Sequence, residues 1–164
     1  MIEWIRTIWH IALMRAGPQD LPAGRATPLL GLAAFAAIVS VSRAGEDRGP
    51  DATDFLVSLG IPLALTASLL WLQGRWPRLP QTVGALFGTG ALISLVNVPL
   101  WLSPATPIPA PLALLALAGL FWSLAVDGHI WRHALECSFA AGVVIAVVIL
   151  LAQLFTFQAA GTPA

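Results

Sequence analysis

The most chemical-looking pattern in the chain is the set His129, His133 and Glu136, spaced four and three residues apart. On a helix all three share one face. Two imidazoles at that spacing can hold a divalent metal, with a carboxylate as third ligand. Cys137 follows directly and offers a thiolate roughly a quarter turn away. The H-E-x-x-H pattern of metalloproteases is absent. The plainer reading, preferred here, is an interfacial loop from Asp127 to Glu136 in which His and Arg anchor among lipid headgroups. Asp127 is expected at a helix end, where an ionisable group costs little and can pair with Arg132. A bis-histidine haem does not fit, because axial ligands come from facing helices. Two of the three histidines share one helix, and the third, His10, lies near the N-terminus. No cofactor is expected. Ser123 and Ser138 lack the G-x-S-x-G nucleophile elbow, so no serine hydrolase is expected either.

Asn97 and Gln153 are polar residues inside apolar stretches. Such groups usually hydrogen-bond between helices, worth about 0.6–2 kcal/mol, and are assigned to helix packing. Gly84 and Gly88 form a small-xxx-small pair, and Ala140 with Gly142 adds another small patch. Small residues let helix backbones approach closely, so Gly84 and Gly88 are also expected to pack helices. No phosphate-cradling lysine accompanies these glycines.

The elements that must carry these residues follow from composition. Of 164 residues, 58% are hydrophobic and only 10% charged, against about a quarter charged in a soluble domain. The apolar residues fall in long uncharged blocks, each near the ~20 residues needed to cross the hydrocarbon core. Without water to satisfy the backbone there, each block must be helical. The expected fold is therefore an all-α polytopic transmembrane bundle. Five spans are expected, at about 28–42, 55–73, 81–102, 109–126 and 137–157, within a transmembrane domain of residues 26–164. Pro62 is expected to kink the second. Residues 1–25 form an amphipathic segment in which Ile2, Ile5, Trp9 and Leu13 share one face and lie on the membrane. Gly17-Pro18 is expected to end that helix. Glu3, Arg6, His10 and Arg15 interrupt the apolar run, so a cleavable signal is not expected. Trp71, Trp76, Trp101, Trp122 and Trp131 lie near proposed span ends, as an aromatic belt requires.

Arginines set the orientation. With the N-terminus in the cytoplasm, Arg6, Arg15, Arg25, Arg75, Arg78 and Arg132 lie inside. Arg43 and Arg48 lie outside, in a loop that also holds Glu46, Asp47, Asp51 and Asp54. The C-terminus then faces outward. The net charge is zero, all basic residues are Arg, and Lys and Tyr are absent. The charge balance suggests no nucleic-acid partner. The abundance of Ala, Leu, Gly and Pro suggests a GC-rich bacterial genome and a place in the inner membrane. A marginal first span leaves four crossings as the alternative topology.

Five short spans, a cytoplasmic N-terminus and an outward C-terminal stub resemble the Yip family of small five-pass membrane proteins. The local likeness is best in "RLPQTVGALFGTGALISLVNVPLWL" from Arg78 to Leu102. The segment "WSLAVDGHIWRHALECSFAAGVVIAVVILLA" is similar in character to the last two spans of bacterial members. The Asp-Leu-aromatic-Gly-Pro signature of eukaryotic members is absent; "GPQDLP" at Gly17 to Pro22 is its faint echo. The resemblance implies a non-enzymatic scaffold, adaptor or accessory subunit, whose partners are the lipid bilayer and either other membrane proteins or a second copy. The alternatives are a small transporter or channel working as a homo-oligomer and, third, a metal-dependent enzyme using the histidine segment.

Overall fold

The computed structural model describes residues 1–42, 51–101 and 109–161, and among these no strand occurs. The helices are α1 (Ile2–Ala12), α2 (Ala26–Ser42), α3 (Ala52–Leu72), α4 (Leu79–Trp101), α5 (Ala110–Leu135) and α6 (Phe139–Gly161). Four helical stretches are long and apolar enough to cross a membrane: Ala52–Leu72, Trp76–Val98, Ala110–Leu135 and Phe139–Ala159. α2 is as apolar but has only 17 residues, about 25 Å of helix against a core of about 30 Å. Of the loop expected over Arg43–Asp54, residues 43–50 lie outside the described residues, and the rest is corrected: Asp51 caps α3 and Asp54 lies in its first turn.

α5 corrects the expected loop after the fourth span. It runs on to Leu135, so the segment expected as the loop Asp127–Glu136 is the last two turns of a 26-residue helix. Trp131 is one reason: it is buried among Leu70 of α3, Ala134 and Ala146 of α6. Arg78 is another. Its Nη1 donates to the carbonyls of His133 and Ala134, each at 3.0 Å, and satisfies two oxygens that a helix C-terminus leaves open.

α2 and α4 run side by side in the same direction. Thr27 and Gly31 lie against Gly84, and further along Phe35 meets Phe87 edge-on at 5.6 Å and lies over Gly90. A Cβ on Gly31 would stand 2.9 Å from the Gly84 carbonyl oxygen, and one on Gly84 would stand 2.9 Å from that of Thr27. Both obstacles are backbone, so only glycine permits this approach. Gly88 serves a different contact, since Trp4 and Ile8 of α1 fill the space beside it. α5 and α6 meet through Gly128 and Gly142, where the Gly128 backbone lies against Gly142.

α1 is part of the bundle. Ile8, Ile11 and Leu21 share one core cluster with Ala85, Ile93, Val126 and Ile130, and Trp4 packs against it. The helix therefore has two apolar stripes. Trp4, Ile8 and Ile11 face protein, while Ile2, Ile5, Trp9 and Leu13, the stripe assigned to the membrane, remain exposed. α1 ends at Ala12, ahead of Gly17-Pro18, with Met14 left-handed at φ 56° and the Arg15 N–H reaching back to the His10 carbonyl at 2.9 Å.

In α3 the turn before Pro62 is π-helical, over Leu56–Gly60. In that register the Val57 carbonyl would look to the N–H of residue 62, and proline has none. Gln153 of α6 supplies the donor, its Nε2 reaching the Val57 oxygen at 3.3 Å.

The Gly84 contact gives a direct test. Gly84→Ala should lower bundle stability by about 1–3 kcal/mol, as overpacking does, read as an earlier midpoint in a denaturing-detergent titration. Gly90→Ala should cost less, because its Cβ meets only the Phe35 ring at 3.0 Å, which can turn aside. Equal, negligible losses at both positions would contradict the close α2–α4 approach.

Candidate functional site

Two polar regions emerge, one at the end of the bundle and one inside it. The first is built by chain reversals. Gly74 (φ 67°) turns the chain after α3, and Glu136 (φ 56°) turns it after α5. The Arg75 N–H closes onto Leu70 at 2.7 Å and the Cys137 N–H onto Arg132 at 3.2 Å. The two turns bring Arg75 and Arg78 to the Glu136 carboxylate, with Arg75 Nη2 at 2.6 Å from Oε2 and Arg78 on Oε1. The hydrogen bond from Arg75, then that from Arg78, holds the Glu136 carboxyl down to about 2. The same bond raises Arg75 above the ordinary guanidinium value.

This arrangement separates the residues expected to bind metal. The shared face of His129, His133 and Glu136 requires helix through Glu136, but Glu136 is left-handed and its carboxylate is turned to the arginines. His129 Nε2 lies 2.9 Å from the Ala16 carbonyl. Its ring meets that of His133 edge-on, with centroids 4.6 Å apart. Among the described residues no group of three or more His, Cys, Asp or Glu is placed to hold a metal ion. His129 ties the N-terminal segment to α5. Trp122, seven residues earlier on the same helix, does likewise through Nε1 to the Ala12 carbonyl at 3.0 Å.

The second region is a cavity of about 270 Å³ between α3, α4, α5 and α6. One stripe of α5 forms its wall: Ala116, Gly119, Leu120, Ser123, Leu124, Asp127 and Trp131, spaced as one helix face requires. Ser58, Pro62 and Thr66 of α3 face it from another side, and Ser94 and Asn97 of α4 from a third. Asp127 stands eight residues before the end of α5, about 12 Å inside it at 1.5 Å per residue. That corrects its expected place at a helix end. The expected pair with Arg132 is not formed: neither of the ion pairs described, from Arg75 and Arg78 to Glu136, involves Asp127. Five positions on a helix point well apart, and Arg132 is exposed.

The cavity keeps polar atoms without partners. Thr66 Oγ1 and Asn97 Oδ1 are buried and make no hydrogen bond, and Thr66 is fully inaccessible. Asn97 sits over Gly119, whose missing side chain leaves it room: a Cβ there would stand 3.0 Å from Nδ2. Gln153 also lines the cavity, but its amide is engaged by Val57. Sequence reasoning gave Asn97 and Gln153 a packing role and passed over Thr66, Ser94 and Asp127 as site residues. The signal that would have found Asp127 is the Gly119-Ser123-Asp127 series, four apart on one helix face; Thr66 and Ser94 lie on other helices, outside that series.

The chain has no match among protein-family models, curated proteins or solved structures.

The Glu136 cluster predicts a specific acid response. A carboxyl depressed in the folded state stabilises fully above its unfolded value of about 4.3, and that stabilisation fades as pH falls through the folded value. The midpoint of thermal unfolding should therefore drop between about pH 4.3 and 2, and Glu136→Gln should flatten that limb. An unchanged acid limb in the variant would show that the cluster does not couple to folding.

Proposed function

We propose that this chain is a non-catalytic, five-pass protein of the bacterial inner membrane that moves a small polar solute through the cavity between α3, α4, α5 and α6. The observation that carries the reading is the depth of unconsumed polar groups. Along α5 the polar wall runs from Asp127 through Ser123 to the Asn97 contact at Gly119, about 12 Å of helix. Ionisable and polar groups at such depth mark substrate or ion pathways by default, and a partly apolar cavity with a few convergent polar groups is the usual form of a ligand site. The path lies within one chain, so the reading needs no homo-oligomer.

α2 supplies the fifth crossing. Its start lies beside the start of α4, so it leaves the same end of the bundle. The N-terminal segment, the Arg75–Arg78 turn and the Glu136 turn then share one end, and the arginine excess there supports a cytoplasmic placement.

A second reading, a scaffold or accessory subunit of the Yip-like kind, is supported by α3. Only Asp54, Val57, Thr66 and Leu70 of that helix are buried, which leaves much of its surface for lipid or a partner.

The test is flux through reconstituted protein. Proteoliposomes should pass at least one member of a panel of small cations, anions and polyols faster than empty vesicles. Ser123→Leu, which fills the path, should cut that flux at least tenfold. Leu114→Phe, on the exposed face of α5, should not. Absence of protein-dependent flux across the panel, or equal flux through the filled variant, would sink the reading, and co-purification of a stoichiometric partner would then favour the accessory subunit.

A further inference from the structure

The cavity has a charge asymmetry that selects its ligand. Among the described residues Asp127 is the single ionisable one in the lining, and no hydrogen bond or ion pair among them engages its carboxylate. A bare carboxylate in a low-dielectric interior is costly unless a cation or a proton offsets it. The remaining polar groups are uncharged: the Asn97 amide, which offers a donor as well as its unpartnered Oδ1, Thr66 Oγ1 without a partner, and the Ser123 hydroxyl one turn from Asp127. Among the described residues no arginine, lysine or histidine lines the space, so an anion finds no counter-charge.

Size and wall decide between cations. A water occupies about 30 Å³ of liquid, so 270 Å³ is far more than one dehydrated metal ion fills. The void lies just below the range of about 300–1,000 Å³ typical of organic ligands. A dehydrated alkali ion needs a close ring of oxygens, whereas here the oxygens of Thr66, Asn97, Ser123 and Asp127 belong to three helices, and Phe87, Leu124 and Trp131 share the lining with them. An ammonium group with a short apolar chain suits both features. Its N–H donors meet the carboxylate and hydroxyls, and its carbon chain meets the apolar wall. Aromatic faces add favourable contact for a cation.

We infer that the cavity binds a small organic ammonium compound, its charged nitrogen at Asp127 and its apolar part against Leu124 and Trp131. The inference rests on the cavity being a ligand site, as proposed above, and adds the ligand's charge and class.

Calorimetric titration of the protein in lipid nanodiscs, with empty nanodiscs subtracted, tests it using four probes: butylammonium, butanamide, butyrate and sodium ion. Butylammonium should bind at least tenfold more tightly than the other three. Asp127→Asn should reduce that binding at least tenfold, and Asp127→Glu should retain part of it. Gly119→Leu should abolish it by driving Asn97 into the space. If butanamide binds as well as butylammonium and Asp127→Asn changes neither, the cavity remains a ligand site and the ammonium inference is overturned. Preferential binding of sodium through Asp127 also overturns it, in favour of a metal cation. If none of the probes binds, both the inference and the ligand-site reading fail.

Discussion

A backbone carbonyl without a donor costs several kcal/mol in the hydrocarbon layer, and this chain contains carbonyls that its own helices cannot satisfy. Pro62 withholds an N–H from α3, and Gln153 replaces it at Val57. α5 ends with open carbonyls at His133 and Ala134, and one arginine, Arg78, takes both. The N-terminal segment leaves the carbonyls of Ala12 and Ala16 facing α5, where Trp122 and His129 meet them. Gln153, Arg78, Trp122 and His129 are occupied in this way. Their contacts also fix the relative positions of α1, α3, α5 and α6.

Subtracting those residues leaves a short remainder. Asp127, Thr66 and Asn97 carry oxygen atoms that no backbone group uses, and all three line one cavity. A buried polar atom without a partner is a cost that native structures rarely carry without a reason. Of the three such atoms among the described residues, Trp4 Nε1 lies elsewhere, beside Gly88, while the other two and a carboxylate line the same space, and that coincidence supports the functional reading. The close approach of α2 to α4 at Gly31 and Gly84 contributes indirectly. It holds α4 against α2 on one side while Ser94 and Asn97 line the cavity on the other.

The helical blocks were legible because hydropathy alone requires them, and the end of α2 at Ser42 follows from the polar residues beyond it. The end of α5 was not legible. Hydropathy falls at Asp127, which suggests a boundary there, but the cavity that accommodates Asp127 is made by three other helices. Spacing marked Gly84 and Gly88 as packing sites without indicating that one meets α2 and the other α1. Two apolar stripes on α1 are visible in its periodicity, but nothing local to the helix says which faces protein. The pairing of Gln153 with Val57 depends on a π-turn and on residues 96 positions apart, so no window of sequence contains it. The metal reading of His129, His133 and Glu136 assumed a helix one residue longer than the left-handed turn allows.

A polar, solvent-reachable path inside the bundle along the Ser123–Asp127 face of α5 is what transport through this cavity requires. Its most direct test is cysteine accessibility in intact membranes, on a background in which Cys137→Ser removes the native thiol. Ser123→Cys should react with a small, membrane-impermeant thiosulfonate. Leu114→Cys, which faces outward at 67% exposure, should stay unreactive within lipid. Reaction at 123 with silence at 114 is the predicted result. Silence at 123, or reaction at 114 equal to that at 123, would contradict the account.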